Sequence, residues 1–324
     1  MKIEEVWSCL ENDLANVEAC LAENLQSEAP LISEVGSHMF RGGGKRIRPL
    51  LLLLSARLCG YRGDRHYLLA SIVEYIHTAS ILHDDVVDEA SIRRGRESAN
   101  QVWGNQASIL VGDFLYSKAL FLAVRERNQE IMDVLSDATT IMSEGEVIQL
   151  TQIGNVDLTE EEYLKVITSK TAVLISAACH LGAILSDASP EERRALITFG
   201  RNIGIAFQLI DDALDYSAQE RKLGKKVGKD LMEGKITLPL IHVLKSATPE
   251  EKERIRRIFK NGSGESPDTD FVFRCIEKYQ AVPYTLERTR VYIQRAKEDL
   301  NFFDDSPDRD ALLAVSDFIY NREL

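Results

Sequence analysis

The stretch Ile72-Val73-Glu74-Tyr75-Ile76-His77-Thr78-Ala79-Ser80-Ile81-Leu82-His83-Asp84-Asp85-Val86-Val87-Asp88 decides how the chain is read. Apolar residues recur at three- and four-residue steps, as at Ile72, Tyr75, Ile76 and Ala79, which is helical spacing and not the alternation of a strand. In such a helix Asp84 and Asp88 lie one turn apart on one face, because the rise is about 1.5 Å per residue. His77 and Ser80 fall on the same stripe. Carboxylates that follow so apolar a run are costly unless something neutralises them. The pattern recurs at Asp211-Asp212-Ala213-Leu214-Asp215, again behind an apolar run, Ile203 to Ile210. The wider surroundings of the two clusters do not match, so they are not an internal repeat.

Outside these clusters the composition is that of a soluble globular protein: 324 residues, 44% hydrophobic and 28% charged. Lys plus Arg is 39 against 51 for Asp plus Glu, a net charge of −12 that argues against a large basic face and so against nucleic acid as a partner. Cys9, Cys20, Cys59, Cys179 and Cys275 are scattered and form no CxxC pair. They fit a reducing, cytoplasmic setting and are expected to be small buried hydrophobes. Met1 to Asn12 carries three Glu and one Lys, unlike a secretory start. The most apolar stretch, Ala172 to Leu185, is interrupted by His180 and falls short of the roughly 20 residues of a membrane span.

Three helix starts are written plainly. Thr159 precedes Glu162 in a capping-box pattern, and Ser189-Pro190-Glu191-Glu192 and Thr248-Pro249-Glu250-Glu251 add Pro at the first helical position. The reading is an all-α chain with roughly ten or more helices. The expected long loops are Gly60 to Arg65, Ser217 to Gly234 and Asn261 to Asp270, and no domain boundary is evident, so residues 1–324 are taken as one domain.

Open clusters of hard oxygen ligands suit Mg²⁺, which keeps several waters and commonly bridges carboxylates to phosphates. His83-Asp84 resembles the pair of a metal-dependent phosphohydrolase, but that reading needs further His ligands and leaves the second acidic cluster unexplained. Cations for an anionic ligand are also present. Arg41-Gly42-Gly43-Gly44-Lys45-Arg46-Ile47-Arg48-Pro49 is a glycine-rich basic turn, although not a Walker loop, because Arg46 stands where Ser or Thr would follow the lysine. Arg93 and Arg94 follow the first acidic cluster. Lys170-Thr171, Gln208 one turn before Asp211, and the lysines Lys225, Lys229 and Lys235 complete the set.

Together these motifs resemble those of the trans-isoprenyl diphosphate synthases, or polyprenyl synthetases. The matching segments are Lys45 to Pro49, Leu82 to Asp88, Arg93-Arg94-Gly95, Ser169-Lys170-Thr171, Phe207 to Asp215 and Gly234 to Pro239. The resemblance implies a single-domain, all-α helical bundle around a deep central cavity, usually a homodimer. It implies elongation of an allylic diphosphate, farnesyl diphosphate by expectation, through successive condensations with isopentenyl diphosphate. Carried over residue by residue, Asp84, Asp88, Asp211, Asp212 and Asp215 would bind Mg²⁺, with Asp85 in support. Lys45, Arg48, His77 and Arg94 would bind isopentenyl diphosphate. Arg93, Lys170, Thr171, Gln208 and Lys225 would contact the allylic substrate. No side-chain base stands out, so the departing diphosphate is the implied proton acceptor. Release of the product implies a peripheral membrane contact.

In resembling short-chain enzymes an aromatic four or five residues before the first aspartate blocks the growing tail. Here those positions are Ser80 and Ala79, so a long-chain product is expected, octaprenyl by preference, with a farnesyl or geranylgeranyl product as the alternative. A related terpene cyclase would carry Asn or Ser in its second metal motif, where this chain has Asp211, Asp212 and Asp215. A non-catalytic regulatory subunit would have lost aspartates that are intact here.

Overall fold

Each of the three helix starts is built as its sequence dictates. In a computed structural model, which describes residues 1–42, 44–93, 95–217, 228–260 and 269–321, the Glu162 N–H donates to Thr159 Oγ1 and the Thr159 N–H to Glu162 Oε2. Ser189 with Glu192 and Thr248 with Glu251 repeat this reciprocal pair. The described residues are overwhelmingly helical, with well over the ten helices expected. One exception is a two-stranded antiparallel hairpin, β1 (Ile92–Arg93) and β2 (Arg96–Glu97), in which Ile92 pairs with Glu97 and Arg93 with Arg96. Gly95, at φ +75°, takes the left-handed conformation that so short a connection needs. Of the expected loops, Gly60 to Arg65 is present between two helices, whereas residues 218–227 and 261–268 of the other two lie outside the described residues.

The chain divides into two compact units that interleave along the sequence, which is why no linker can be read from composition. The first comprises Met1–Thr139, Leu174–Ile197 and Phe302–Ala314. Its helices include α1 (Ile3–Cys9), α2 (Glu11–Asn24), α3 (Pro30–Arg41), α4 (Ile47–Leu58), α5 (Arg65–Val87), α6 (Ala99–Trp103) and α7 (Asn105–Arg125). The helix read first from the sequence, α5, is the centre: α2, α4 and α7 all pack on it. Leu69, Ile72, Val73, Tyr75, Ile76, Ala79 and Leu82 are buried, each larger side chain contributing about 1.5–3 kcal/mol of transfer free energy. Leu50 to Leu54 on α4 are buried on every side, which explains their unbroken run. Gly182 lets its helix approach α4 closely: a Cβ there would meet the Leu52 carbonyl oxygen at 2.6 Å and the Ala56 nitrogen at 2.8 Å.

The second unit comprises Thr140–Val173, Thr198–Asn301 and Val315–Leu324. Its core gathers Leu209, Leu238, Leu240, Val243, Ile255 and Val272. Gly204 there permits close backbone contact with Ala172, whose Cα would lie 2.4 Å from an added Cβ.

Two sequence expectations are corrected. Asn105–Arg125 and Glu160–Leu185 are each long and apolar enough to cross a membrane by length and composition, although 44% and 67% of their most apolar windows are buried inside the protein. The second extends the Ala172–Leu185 stretch back to Glu160, because a π-helical turn at Thr168–Ala172 carries helix Glu160–Ile167 on into Val173–Leu185. Of the cysteines, Cys179 and Cys275 are buried as expected, but Cys20 and Cys59 are half-buried and Cys9, the last residue of α1, is exposed.

Gly182 supplies a test of the packing. Gly→Ala at an unconstrained helical site stabilises by about 0.4–1 kcal/mol. Gly182→Ala should instead destabilise by about 1–3 kcal/mol through overpacking against α4. Chemical denaturation reads the sign directly, and a gain in stability would contradict the close approach.

Candidate functional site

In the first unit, the acidic cluster occupies the last turn of α5, and Asp88 is its C-terminal capping residue. Carbonyl dipoles at this end already favour positive charge, and the carboxylates add to that demand. Asp84 and Asp88 are half-buried, on the stripe that also carries half-buried His77 and Ser80. Ala79, one step round the helix, is only 1% exposed. Asp85 points inward, fully buried, and accepts from Arg93 Nε at 2.7 Å, while its backbone carbonyl accepts from Asn100 Nδ2. Arg93, carried over as a substrate contact, therefore also neutralises a buried carboxylate. His83 turns onto α7, 3.2 Å from the Ile109 carbonyl and 3.3 Å from Asp113, which speaks against the phosphohydrolase reading.

The basic turn separates into distinct roles. Lys45 is exposed. Arg46, in the left-handed conformation at φ 45°, ties Glu18, Glu74 and the Phe40 carbonyl together at the start of α4 and is structural. Arg48, in the first turn of α4, meets His77 of α5 at 3.0 Å. Because a guanidinium only donates, His77 Nε2 accepts and its ring proton sits on Nδ1. Two expected residues from separate helices are thus brought together. Arg94 lies outside the described residues, as does Lys225.

In the second unit, Lys170 and Thr171 sit in a five-residue π-helical turn, Thr168–Ala172, that follows helix Glu160–Ile167. Such turns interrupt α-helices most often at functional sites. Gly145 makes room for it, since a Cβ there would lie 2.8 Å from Ser169 Cβ and 3.0 Å from the Lys170 nitrogen. Lys170 Nζ donates to Glu146 Oε2 at 2.7 Å and to Gln149 Oε1 at 2.9 Å. Thr171 Oγ1 donates to Gln208 Oε1, Gln208 Nε2 donates to Asp212 Oδ1, and the Tyr163 hydroxyl donates to Asp212 Oδ2. Lys170, Thr171, Gln208, Asp212 and Tyr163 all line one cavity of about 110 Å³, together with Asp230 and Lys235. Asp215 accepts the backbone N–H groups of Gly228, Lys229 and Asp230.

The electrostatics of this cluster are those of a site short of positive charge. Burial, with repulsion from Asp211 and Asp215, raises the Asp212 carboxyl to about 7. Burial raises Asp215 despite its three backbone donors, and burial and the neighbouring aspartates raise Asp230 well above the usual carboxylate range. The donor set therefore fits a divalent cation with hard oxygen preference. Among the described residues no group of three or more His, Cys, Asp or Glu side chains is placed to hold a metal ion by itself.

Tyr163, Glu146, Gln149 and Asp230 were not singled out from the sequence. Tyr163 reads as one more apolar position behind the Thr159 cap, and its partner lies on a different helix. Glu146 and Gln149 read as an ordinary polar helix face.

The comparisons with known proteins bear on this geometry. The sequence profile described as polyprenyl synthetase matches residues 29–276. The chain is 41% identical over 323 residues to an octaprenyl diphosphate synthase of Escherichia coli, covering all of both chains. A decaprenyl diphosphate synthase structure from Rhodobacter capsulatus superposes with a TM-score of 0.95 at 39% identity, covering 99% of each chain. A polyprenyl synthase from Caulobacter crescentus, complexed with calcium and isoprenyl diphosphate, gives a TM-score of 0.95 at 36% identity over 100% of this chain and 98% of that one.

The Asp85–Arg93 pair yields a prediction. Arg93→Leu removes the guanidinium from a fully buried carboxylate and should lower stability by roughly 3 kcal/mol, the lower end of the cost of breaking a buried pair, because Arg93 itself is partly solvated. Asp85→Asn should restore part of that loss in the double variant. Urea denaturation of the single and double variants checks both, and an unchanged midpoint for Arg93→Leu would show that the pair carries no stability.

Proposed function

The chain belongs to the polyprenyl synthetase family, and from that premise we propose the product, metal and residue roles of its reaction. It is a prenyltransferase that elongates an allylic isoprenyl diphosphate by trans condensations with isopentenyl diphosphate, releasing diphosphate. The proposal is an octaprenyl product grown on farnesyl diphosphate with Mg²⁺ as the ion, by a cytoplasmic homodimer whose single family domain spans residues 1–324. Peripheral contact with a membrane at product release completes it. The observation that supports the product length best is the small pair Ala79 and Ser80 on α5, together with the octaprenyl synthase likeness.

In the proposed mechanism Asp84 and Asp88 of the first unit, and Asp211 with Asp215 of the second, are the residues that would hold Mg²⁺, with Asp212 buried beside the latter pair. The ion, when bound, neutralises the leaving diphosphate. Lys45, Arg48, His77 and Arg94 bind and orient isopentenyl diphosphate. Arg48 fixes His77, so the imidazole presents Nδ1–H as a hydrogen-bond donor. Arg93, Lys170 and Lys225 bind the allylic diphosphate, with Glu146 and Gln149 holding the Lys170 ammonium in place. Thr171 and Gln208 present oxygens to the allylic carbon as positive charge develops. The double bond of isopentenyl diphosphate then attacks that carbon, and the proton lost passes to the departing diphosphate.

Two experiments test this reading. Asp84→Ala should lower kcat/KM by several orders of magnitude, and excess chelator should abolish turnover of the unaltered enzyme, because the clamp on the leaving group loses a ligand. Near-normal turnover in either case would remove the metal assignment. For product length, Ser80→Phe on the half-buried stripe should shorten the product while the first condensation persists, read by mass analysis. Ala79→Tyr should shorten it too, and because Ala79 is buried the same change should cost about 1–3 kcal/mol of stability. Unchanged product length in both variants would show that the tail does not pass this face of α5.

A further inference from the structure

We propose that Tyr163 is a positioning residue for prenyl transfer: acting through Asp212 and Gln208, it aims the Thr171 oxygen at the carbon that becomes cationic, and Asp212 serves this relay and not the metal. The inference rests on the prenyl-transfer reading above and assigns a role to a residue outside the motif set.

Direction is what the four residues encode. Asp212 is only 3% exposed, and each of its oxygens takes one fixed donor: Oδ2 the Tyr163 hydroxyl, Oδ1 the Gln208 Nε2 at 2.7 Å. A carboxylate only accepts, so Gln208 has to turn its NH₂ group toward Asp212. Its Oε1 is thereby left facing Thr171, whose Oγ1 donates to it at 2.9 Å. A hydroxyl that has given away its one proton keeps its lone pairs, and Thr171 lines the same cavity as Lys170. Were the Gln208 amide reversed, its N–H would point at Thr171, which would then accept and turn its own proton toward the cavity. That polarity opposes a developing cation, whereas the observed one favours it.

Tyr163 closes the relay at its far end. It lies on the buried face of its helix with Val166 and Ile167, where a phenylalanine would fill the same space. The hydroxyl is therefore explained by Asp212 alone. Without it, Asp212 keeps one anchor, and the carboxylate that dictates the Gln208 orientation is free to rotate. Asp211 and Asp215, one step and one turn along the helix, are half-buried and remain the residues open to an ion.

Kinetics of Tyr163→Phe, Thr171→Val, Thr171→Ser and the Tyr163→Phe/Thr171→Val double variant test the relay. Tyr163→Phe and Thr171→Val should each lower kcat by ~10- to 100-fold, the scale of a misplaced reacting group, with KM for both diphosphates little changed. The double variant should be no slower than the slower single, because both act on one oxygen. Thr171→Ser, which keeps that oxygen, should recover most of what Thr171→Val loses. A second readout needs no turnover: the Mg²⁺ concentration at which Mg²⁺ plus inorganic diphosphate raises the melting temperature. It should be unmoved in Tyr163→Phe and Asp212→Asn and should rise in Asp211→Asn. Additive losses, no advantage of Ser over Val at Thr171, or an Asp212→Asn shift matching that of Asp211→Asn would each overturn the proposal. An unaltered enzyme without prenyl transfer would instead refute the functional reading, and the melting series would still report on Asp212.

Discussion

Asp85, Asp212 and Asp215 carry carboxylates into apolar helical surroundings, where an ionised group without compensation costs several kcal/mol. Much of the local architecture answers that cost. Asp85 takes the guanidinium of Arg93, which stands on β1 between the end of α5 and the tight turn at Gly95. Asp212 takes a phenol and an amide from two helices of its unit. Asp215 gathers three consecutive backbone N–H groups and so fixes the start of the short helix Lys229–Met232. The half-buried carboxylates Asp84, Asp88, Asp211 and Asp215 are the ones that the proposed mechanism assigns to an ion and its ligand. In that proposal one short motif divides its aspartates between holding a cation and orienting the side chains around it.

The large features were legible because they rest on local rules. The three capped helix starts, the apolar α5 and the acid clusters at helix ends follow from spacing within a dozen residues. The Arg48–His77 contact was half legible: both residues were marked for one ligand, yet their meeting depends on how α4 packs on α5. What stayed hidden depends on pairings between helices. The π turn at Thr168–Ala172 has no composition of its own and is permitted by Gly145, which reads as an unremarkable small residue until Ser169 is laid against it. Tyr163 looks like core until its hydroxyl finds Asp212, and Arg46 looks like a phosphate ligand until Glu18 and Glu74 claim it. The long apolar helix Glu160–Leu185 stayed hidden because only Ala172 to Leu185 reads as an apolar run, interrupted by His180, whereas the backbone carries the polar Ser169, Lys170 and Thr171 through as one wide turn.

The two interleaved units each carry one acidic cluster, the first at the end of α5 and the second at the end of the helix Pro190–Asp215. Small residues recur where backbones meet, at Gly182, Gly204 and Gly145, so the helices that carry the functional side chains are held by close contact and not by long side chains that could shift. Such rigidity is what a reaction through a carbocation requires, because the groups facing it have to be in place before charge develops.

The central claim is that this chain builds a long trans-polyprenyl diphosphate with a divalent ion. The most direct measurement is mass analysis of the product formed by the unaltered protein from farnesyl diphosphate and isopentenyl diphosphate with Mg²⁺, alongside the diphosphate released. The account predicts octaprenyl diphosphate as the main product, with one diphosphate released per isoprene unit added. Product that stops at the geranylgeranyl stage would contradict the chain-length reading, and no diphosphate release above a protein-free control would contradict the account as a whole.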